Sequence, residues 1–120
     1  MIRSMLKAVA VVSVFSVSAF AADFRCSSGR VEKSGSTQYT YKESSSEIVI
    51  EKGGSTKGKA VKRGSKWYVE IGGSTQATFE NGKIEKGGSS WASVSDAQRT
   101  YDCNADVAAT LWVLDQKGVL

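Results

Sequence analysis

The chain has 120 residues, 41% hydrophobic and 23% charged, with 12 glycines, two cysteines, no histidine and no proline. This composition fits one soluble domain and excludes a collagen-like chain, a coiled coil or a long disordered tail. Without histidine there is no Ser-His-Asp or Cys-His nucleophile system and no imidazole-ligated metal site, and a formal charge of +4 is too small to mark a nucleic-acid protein.

At the amino terminus Arg3 and Lys7 precede an uncharged run, Ala8 to Ala22, whose apolar centre is Ala8-Val9-Ala10-Val11-Val12 and which ends in Ala19-Phe20-Ala21. That order of charged, apolar and small residues predicts a secretory signal peptide over residues 1–21, cleaved after Ala21. The run falls short of the roughly 20 apolar residues a membrane span needs, so no transmembrane segment is expected after cleavage. The protein is therefore expected in the periplasm or outside the cell, with residues 22–120 as a single all-β domain. Cleavage removes Arg3 and Lys7, leaving 14 basic against 12 acidic residues, a net +2.

Cys26 and Cys103 are expected to form a disulfide, because export places them in an oxidising compartment. An aromatic residue precedes each by two, in Phe24-Arg25-Cys26 and Tyr101-Asp102-Cys103. At strand spacing ring and sulfur share a face, so both segments read as inward-packing strands. By the chain-entropy account, a bridge across so long a loop contributes about 4 to 5 kcal/mol.

Between the cysteines the chain is punctuated by turns. Gly53-Gly54-Ser55-Thr56 recurs as Gly72-Gly73-Ser74-Thr75 and as Gly87-Gly88-Ser89-Ser90, with Gly35-Ser36-Thr37 a partial copy upstream. Arg63-Gly64 and Asn81-Gly82 fall between these copies. Glycine pairs and Asn-Gly accept the positive φ of tight hairpin turns, and a turn about every ten residues belongs to an antiparallel meander. The repeat reads as a shared hairpin solution rather than a solenoid.

The segments between turns alternate. Tyr39 and Tyr41 share a face within residues 37–42, as do Ile48 with Ile50, Trp67 with Val69 and Ile71, and Ala77 with Phe79. Further strands are predicted around Trp91 and over residues 99–104. The apolar run 107–114 reads as a buried strand because Thr110, Trp112 and Val113 suit a pleated surface. A short helical turn over 94–99, capped by Ser95, is also expected. Seven to nine short strands predict a small up-and-down barrel or a strongly bent meander.

One charge cluster stands out. Lys57, Lys59, Lys62, Arg63 and Lys66 carry five positive charges with no negative one between them, around a predicted hairpin turn. Such a run can contact an anionic envelope polymer or an acidic protein surface. The alternative is a solvated hairpin whose lysines discourage aggregation. Tyr68 lies on the polar face of its strand and joins this set as a stacking candidate, while Trp67 and Trp91 are assigned to the core.

Catalytic signals are weak. The carboxylates are scattered, the serines lack a Gly-x-Ser-x-Gly elbow, and no glycine motif leads into a phosphate-binding helix. Asp102 to Asp106 lacks the ligands of a calcium loop. No enzyme, cofactor or metal site is predicted, and no specific nucleic-acid binding. A small exported β-barrel with one cysteine in its first strand and another near its end loosely resembles the bacterial inhibitors of C-type lysozyme. That resemblance rests on layout and on Phe24-Arg25-Cys26 with Tyr101-Asp102-Cys103; Arg63-Gly64-Ser65-Lys66-Trp67-Tyr68 departs from the family's Ser-Gly-x-x-Tyr signature. A non-catalytic binding module is the expected function, with a hydrolase inhibitor or a structural envelope protein as alternatives.

Overall fold

The computed structural model describes residues 22–120, so the predicted signal peptide lies outside the described residues. Nine strands follow in chain order: β1 (Phe24–Ser27), β2 (Arg30–Lys33), β3 (Ser36–Glu43), β4 (Glu47–Lys52), β5 (Ser55–Arg63), β6 (Lys66–Ile71), β7 (Ser74–Glu80), β8 (Lys83–Lys86) and β9 (Ser89–Ser93). Helix α1 (Val94–Thr100), a two-residue strand β10 (Tyr101–Asp102) and helix α2 (Ala105–Gln116) complete the chain. All ten strands form one sheet in the order β9-β8-β7-β6-β5-β4-β3-β2-β1-β10. Every neighbour pair is antiparallel except β10, which runs parallel to β1.

The turn chemistry explains the meander. The hairpins joining β2 to β3, β4 to β5, β6 to β7 and β8 to β9 each place two consecutive residues at positive φ, ending in Gly35 (83°), Gly54 (83°), Gly73 (85°) and Gly88 (83°). Paired positive φ values match the twist of the flanking strands, and glycine reaches them without a Cβ clash. Each of the four hairpins then takes one extra residue at the same point of its second strand: Gln38, Lys57, Gln76 or Trp91. These bulges bend the sheet repeatedly in one direction. The glycine repeat thus marks one hairpin design used four times.

The sheet curls without closing. Laid flat, nine strands would span about 38 Å. Yet seven-residue α1, about 10 Å long, carries the chain from β9 at one edge to β10 at the other. The meander expectation holds and the barrel expectation does not, because the two edges remain unpaired to each other. Helix α2 occupies the interior and touches β4, β5, β6, β7, β10 and α1.

Three expectations for the C-terminal segment are corrected. Residues 107–114 are helical, and Val107, Ala108, Ala109, Thr110, Leu111, Val113 and Leu114 are all buried. A helix wrapped on nearly every side needs no polar face, so its sequence shows no helical stripe and resembles a buried strand. Asn104 caps it, its side chain accepting a hydrogen bond from the Val107 amide at 2.9 Å. Buried Thr110 donates its hydroxyl to the Asp106 carbonyl at 2.8 Å. The short helix over 94–99 is present as α1, but its cap is Ser93 rather than Ser95, in a reciprocal capping box with Asp96. Of predicted strand 99–104, only Tyr101 and Asp102 pair.

The core joins both halves. Val31, Ile48, Ile50, Val69 and Ile84 from the sheet and Leu111 and Leu114 from α2 are fully buried. Helix and sheet meet tightly at Gly58, where a Cβ would lie 2.5 Å from a Leu114 methyl. Cys26 and Cys103 are bonded, tying β1 to the segment between β10 and α2. Phe24 stacks on Tyr101 at 4.8 Å and on Tyr39 at 5.9 Å, as the aromatic-cysteine spacing implied.

Candidate functional site

Since α2 fills the concave side, the convex side of the sheet is the broad surface left to the strands. Alternation decides which members of the basic run reach it. Register pairs Lys59 with Glu70, Val61 with Tyr68, Lys62 with Trp67 and Arg63 with Lys66. Paired residues share a face, so buried Trp67 places Lys62 on the inner side, with its ammonium 5.9 Å from the Trp67 ring. Lys59, Arg63, Lys66 and Tyr68 gather on the outer side. Lys57 occupies the bulge of its hairpin. The structure therefore gathers Lys59, Arg63, Lys66 and Tyr68 on the outer side, with Lys57 lining the same pocket as Lys59 and Glu70, and separates Lys62 from them.

Acids from neighbouring strands enter this group. Lys59 lies 3.6 Å from Glu47, and Arg63 3.2 Å from Glu70, whose side chain is only 10% exposed. Arg63 also caps the Tyr68 ring at 4.9 Å. Ser65 in the hairpin turn hydrogen-bonds Glu80. A run that is purely basic in sequence is thus half of a mixed-charge surface, because the compensating carboxylates come from β4 and β6. Sequence proximity alone could not reveal them.

The sequence reading passed over a second outward feature. Glu32, Glu51, Glu70 and Glu85 occupy the same place in the four repeated hairpins, each paired across the hairpin with a hydroxyl residue: Thr37, Thr56, Thr75 or Ser90. All four hydroxyl residues are exposed. The signal was present: each glutamate stands three residues before the second turn residue, Gly35, Gly54, Gly73 or Gly88. Attention to the glycines alone missed it.

No protein-family model matches the chain, and neither a curated protein nor a solved structure matches it. The loose likeness to lysozyme inhibitors therefore gains nothing beyond general layout and the Phe24-Arg25-Cys26 and Tyr101-Asp102-Cys103 segments, and the unclosed sheet departs from a barrel.

Other polar groups serve the fold. Burial first, and then the Asp115 carboxylate, push the Tyr101 hydroxyl far above its usual range, and Tyr39 shifts upward for the same two reasons. Among the described residues the Tyr101 hydroxyl is buried without a hydrogen bond of ordinary geometry, although the Asp115 carboxylate faces it. Burial, followed by repulsion from Glu43, raises the Asp106 carboxyl, with Lys62 opposing. Trp91, expected in the core, is only half-buried and meets the Trp112 ring edge-on at 4.9 Å. Among the described residues, no three acidic or sulfur side chains converge as metal ligands.

Proposed function

We propose that this protein is a non-catalytic, extracytoplasmic binding module that holds an extended envelope polymer on the convex face of its sheet. The observation that carries the reading is the asymmetry of that sheet. One face is spent on α2, while the other presents Lys59, Arg63, Lys66, Tyr68 and the repeated glutamate-hydroxyl pairs across consecutive strands. The disulfide fits an oxidising compartment. Because Lys59 and Arg63 already have carboxylate partners, the face favours short-range hydrogen bonding and stacking over attraction by net charge.

The test is a retention assay with the exported, oxidised protein on peptidoglycan sacculi, lipopolysaccharide and immobilised heparin, at low and physiological salt. Capture by one of these polymers is expected, with loss of capture in Lys59→Ala and Tyr68→Ala proteins of unchanged circular dichroism. Failure on all three, or capture indifferent to both substitutions, overturns the proposal. Salt-resistant capture of a lysozyme-type hydrolase with loss of its activity replaces it with an inhibitor.

A further inference from the structure

The four hairpins align residue by residue, and each shows what the others carry at the same place. Before the turn they read Val31-Glu32-Lys33, Ile50-Glu51-Lys52, Val69-Glu70-Ile71 and Ile84-Glu85-Lys86. After it they read Gln38-Tyr39-Thr40, Lys57-Gly58-Lys59, Gln76-Ala77-Thr78 and Trp91-Ala92-Ser93. Ile71 stands where the other three hairpins have lysine. Lys57 and Lys59 bring charge to two places that are uncharged elsewhere, and Gly58 between them is the smallest residue at its place.

These four departures meet at one seam. Pairing between β5 and β6 ends at Lys59 with Glu70, and beyond that rung the two strands part toward their separate turns. Residues 56–59 and 70–73 enclose an open cavity of about 360 Å³ there. Half-buried Ile71 gives it an apolar wall, and Gly58, Gly72 and Gly73 put no side chain into it. At the equivalent seam between β3 and β4 the place of Gly58 is held by Tyr39, with the Lys52 ammonium 5.8 Å from its ring. Room for Leu114 accounts for Gly58, since a Cβ there would meet that side chain. The fold offers no such reason for the lysines. Lys59 is held by Glu47 and Glu70 by Arg63, so these charges cancel in pairs, whereas Lys57 has no ion pair among the described residues.

We infer that this notch binds a small amphipathic carboxylate, with its hydrocarbon part along Ile71 and the glycine backbone and its charge on the Lys57 ammonium. The volume is at the small end of ligand pockets, which run from about 300 to 1,000 Å³. The occupant is therefore a small molecule, and the site is separate from the polymer-binding face and stands without it. An apolar wall beside one cation selects an amphipath, because a purely polar anion gains nothing from Ile71 and a neutral hydrocarbon leaves Lys57 unused. One uncompensated lysine balances a monoanion; a phosphate dianion would keep excess charge beside the Glu70 carboxylate. The same chemistry is offered by a short fatty acid and by an aromatic acid.

The test follows backbone amide shifts of the exported, oxidised protein as octanoate, 3-phenylpropanoate or octanamide is added. Saturable shifts confined to residues 56–59 and 70–73 are expected with either acid or both, the tighter one naming chain or ring as the preferred hydrocarbon. Octanamide should bind about fivefold more weakly than the tighter acid. Two substitutions bring in residues that the sister hairpins already carry, so the fold is kept. Lys57→Gln should weaken the tighter acid about fivefold and erase its advantage over octanamide. Ile71→Lys should abolish octanamide binding, because the apolar wall is lost. Shifts that are absent or scattered over the molecule, octanamide equal to both acids in the parent protein, or acid affinity indifferent to Lys57→Gln overturns the site.

Discussion

The four repeated hairpins and the C-terminal α1-β10-α2 segment build one core by opposite means. The hairpins are local: each pairs residues close in sequence, and positive-φ glycines with alternating side chains specify it. The C-terminal segment is held by distant partners, since α2 is buried against the four distant strands β4 to β7 and Cys103 bonds a residue 77 positions away. Hairpins tolerate change at their surface, whereas the segment that fills them depends on long-range contacts. Substitutions should separate the two regions sharply.

The largest effect is expected where the regions are joined. Replacing Cys26 and Cys103 by serine should lower stability by about 4 kcal/mol and free α2 from the sheet, read as a large fall in the thermal midpoint and rapid amide exchange over residues 105–116. Loss of stability without faster exchange in α2 would break the division drawn here.

A smaller effect is expected where Gly58 meets α2. Gly58→Ala pushes a methyl against Leu114 and should cost about 1–3 kcal/mol. In a Leu114→Ala background the same change should cost less, because the Leu114 methyls are gone and only the Glu70 carbonyl oxygen, 3.0 Å from the new Cβ, still crowds it. Additive costs in a double-mutant cycle by chemical denaturation would show that Gly58 matters for some reason other than room for α2.

Tyr101 sharpens the comparison with the opposite sign. Its buried hydroxyl makes no ordinary hydrogen bond among the described residues and faces the Asp115 carboxylate, so Tyr101→Phe should stabilise the protein by about 1 kcal/mol while keeping the stack on Phe24. A destabilised variant would mean that the hydroxyl is paired after all.

The smallest shift is expected at exposed Asp96, whose carboxyl is held below its usual range by hydrogen bonds from Ser93, with Arg99 assisting. A lowered folded-state value means that the charged form supports the fold above the ordinary carboxylate range and that this support fades as pH falls through the lowered value. Asp96→Asn should therefore lower the thermal midpoint slightly at pH 7, and the difference should vanish in strong acid. An equal difference at both pH values would assign the effect to packing.

These contrasts also explain what could be read from the sequence. The hairpins were legible because glycine pairs and Asn81-Gly82 act on their own neighbours and because Ile48 with Ile50, and Trp67 with Val69, alternate at strand spacing. The disulfide followed from only two cysteines in a chain whose sequence predicts export. Helix α2 was misread because continuous apolarity from 107 to 114 carries no period when a helix is enclosed. The charge balance around the basic run was not legible, because Glu47 and Glu70 reach it only through strand pairing. The glutamate row was present in the letters, but only register shows that its members face outward at equivalent places.

Strand β10 lies beside β1, so the first strand gains its parallel neighbour only when residues 101–102 arrive, and the hollow of the sheet is filled only by residues 105–116. A chain emerging from its amino end must hold nine strands with Val31, Ile48, Ile50, Val69 and Ile84 facing water until then. Maturation is thus timed by the tail: cysteine pairing and the shielding of adhesive surface both wait for the last residues, and a product stopped short of Cys103 would leave a long, sticky ribbon with neither.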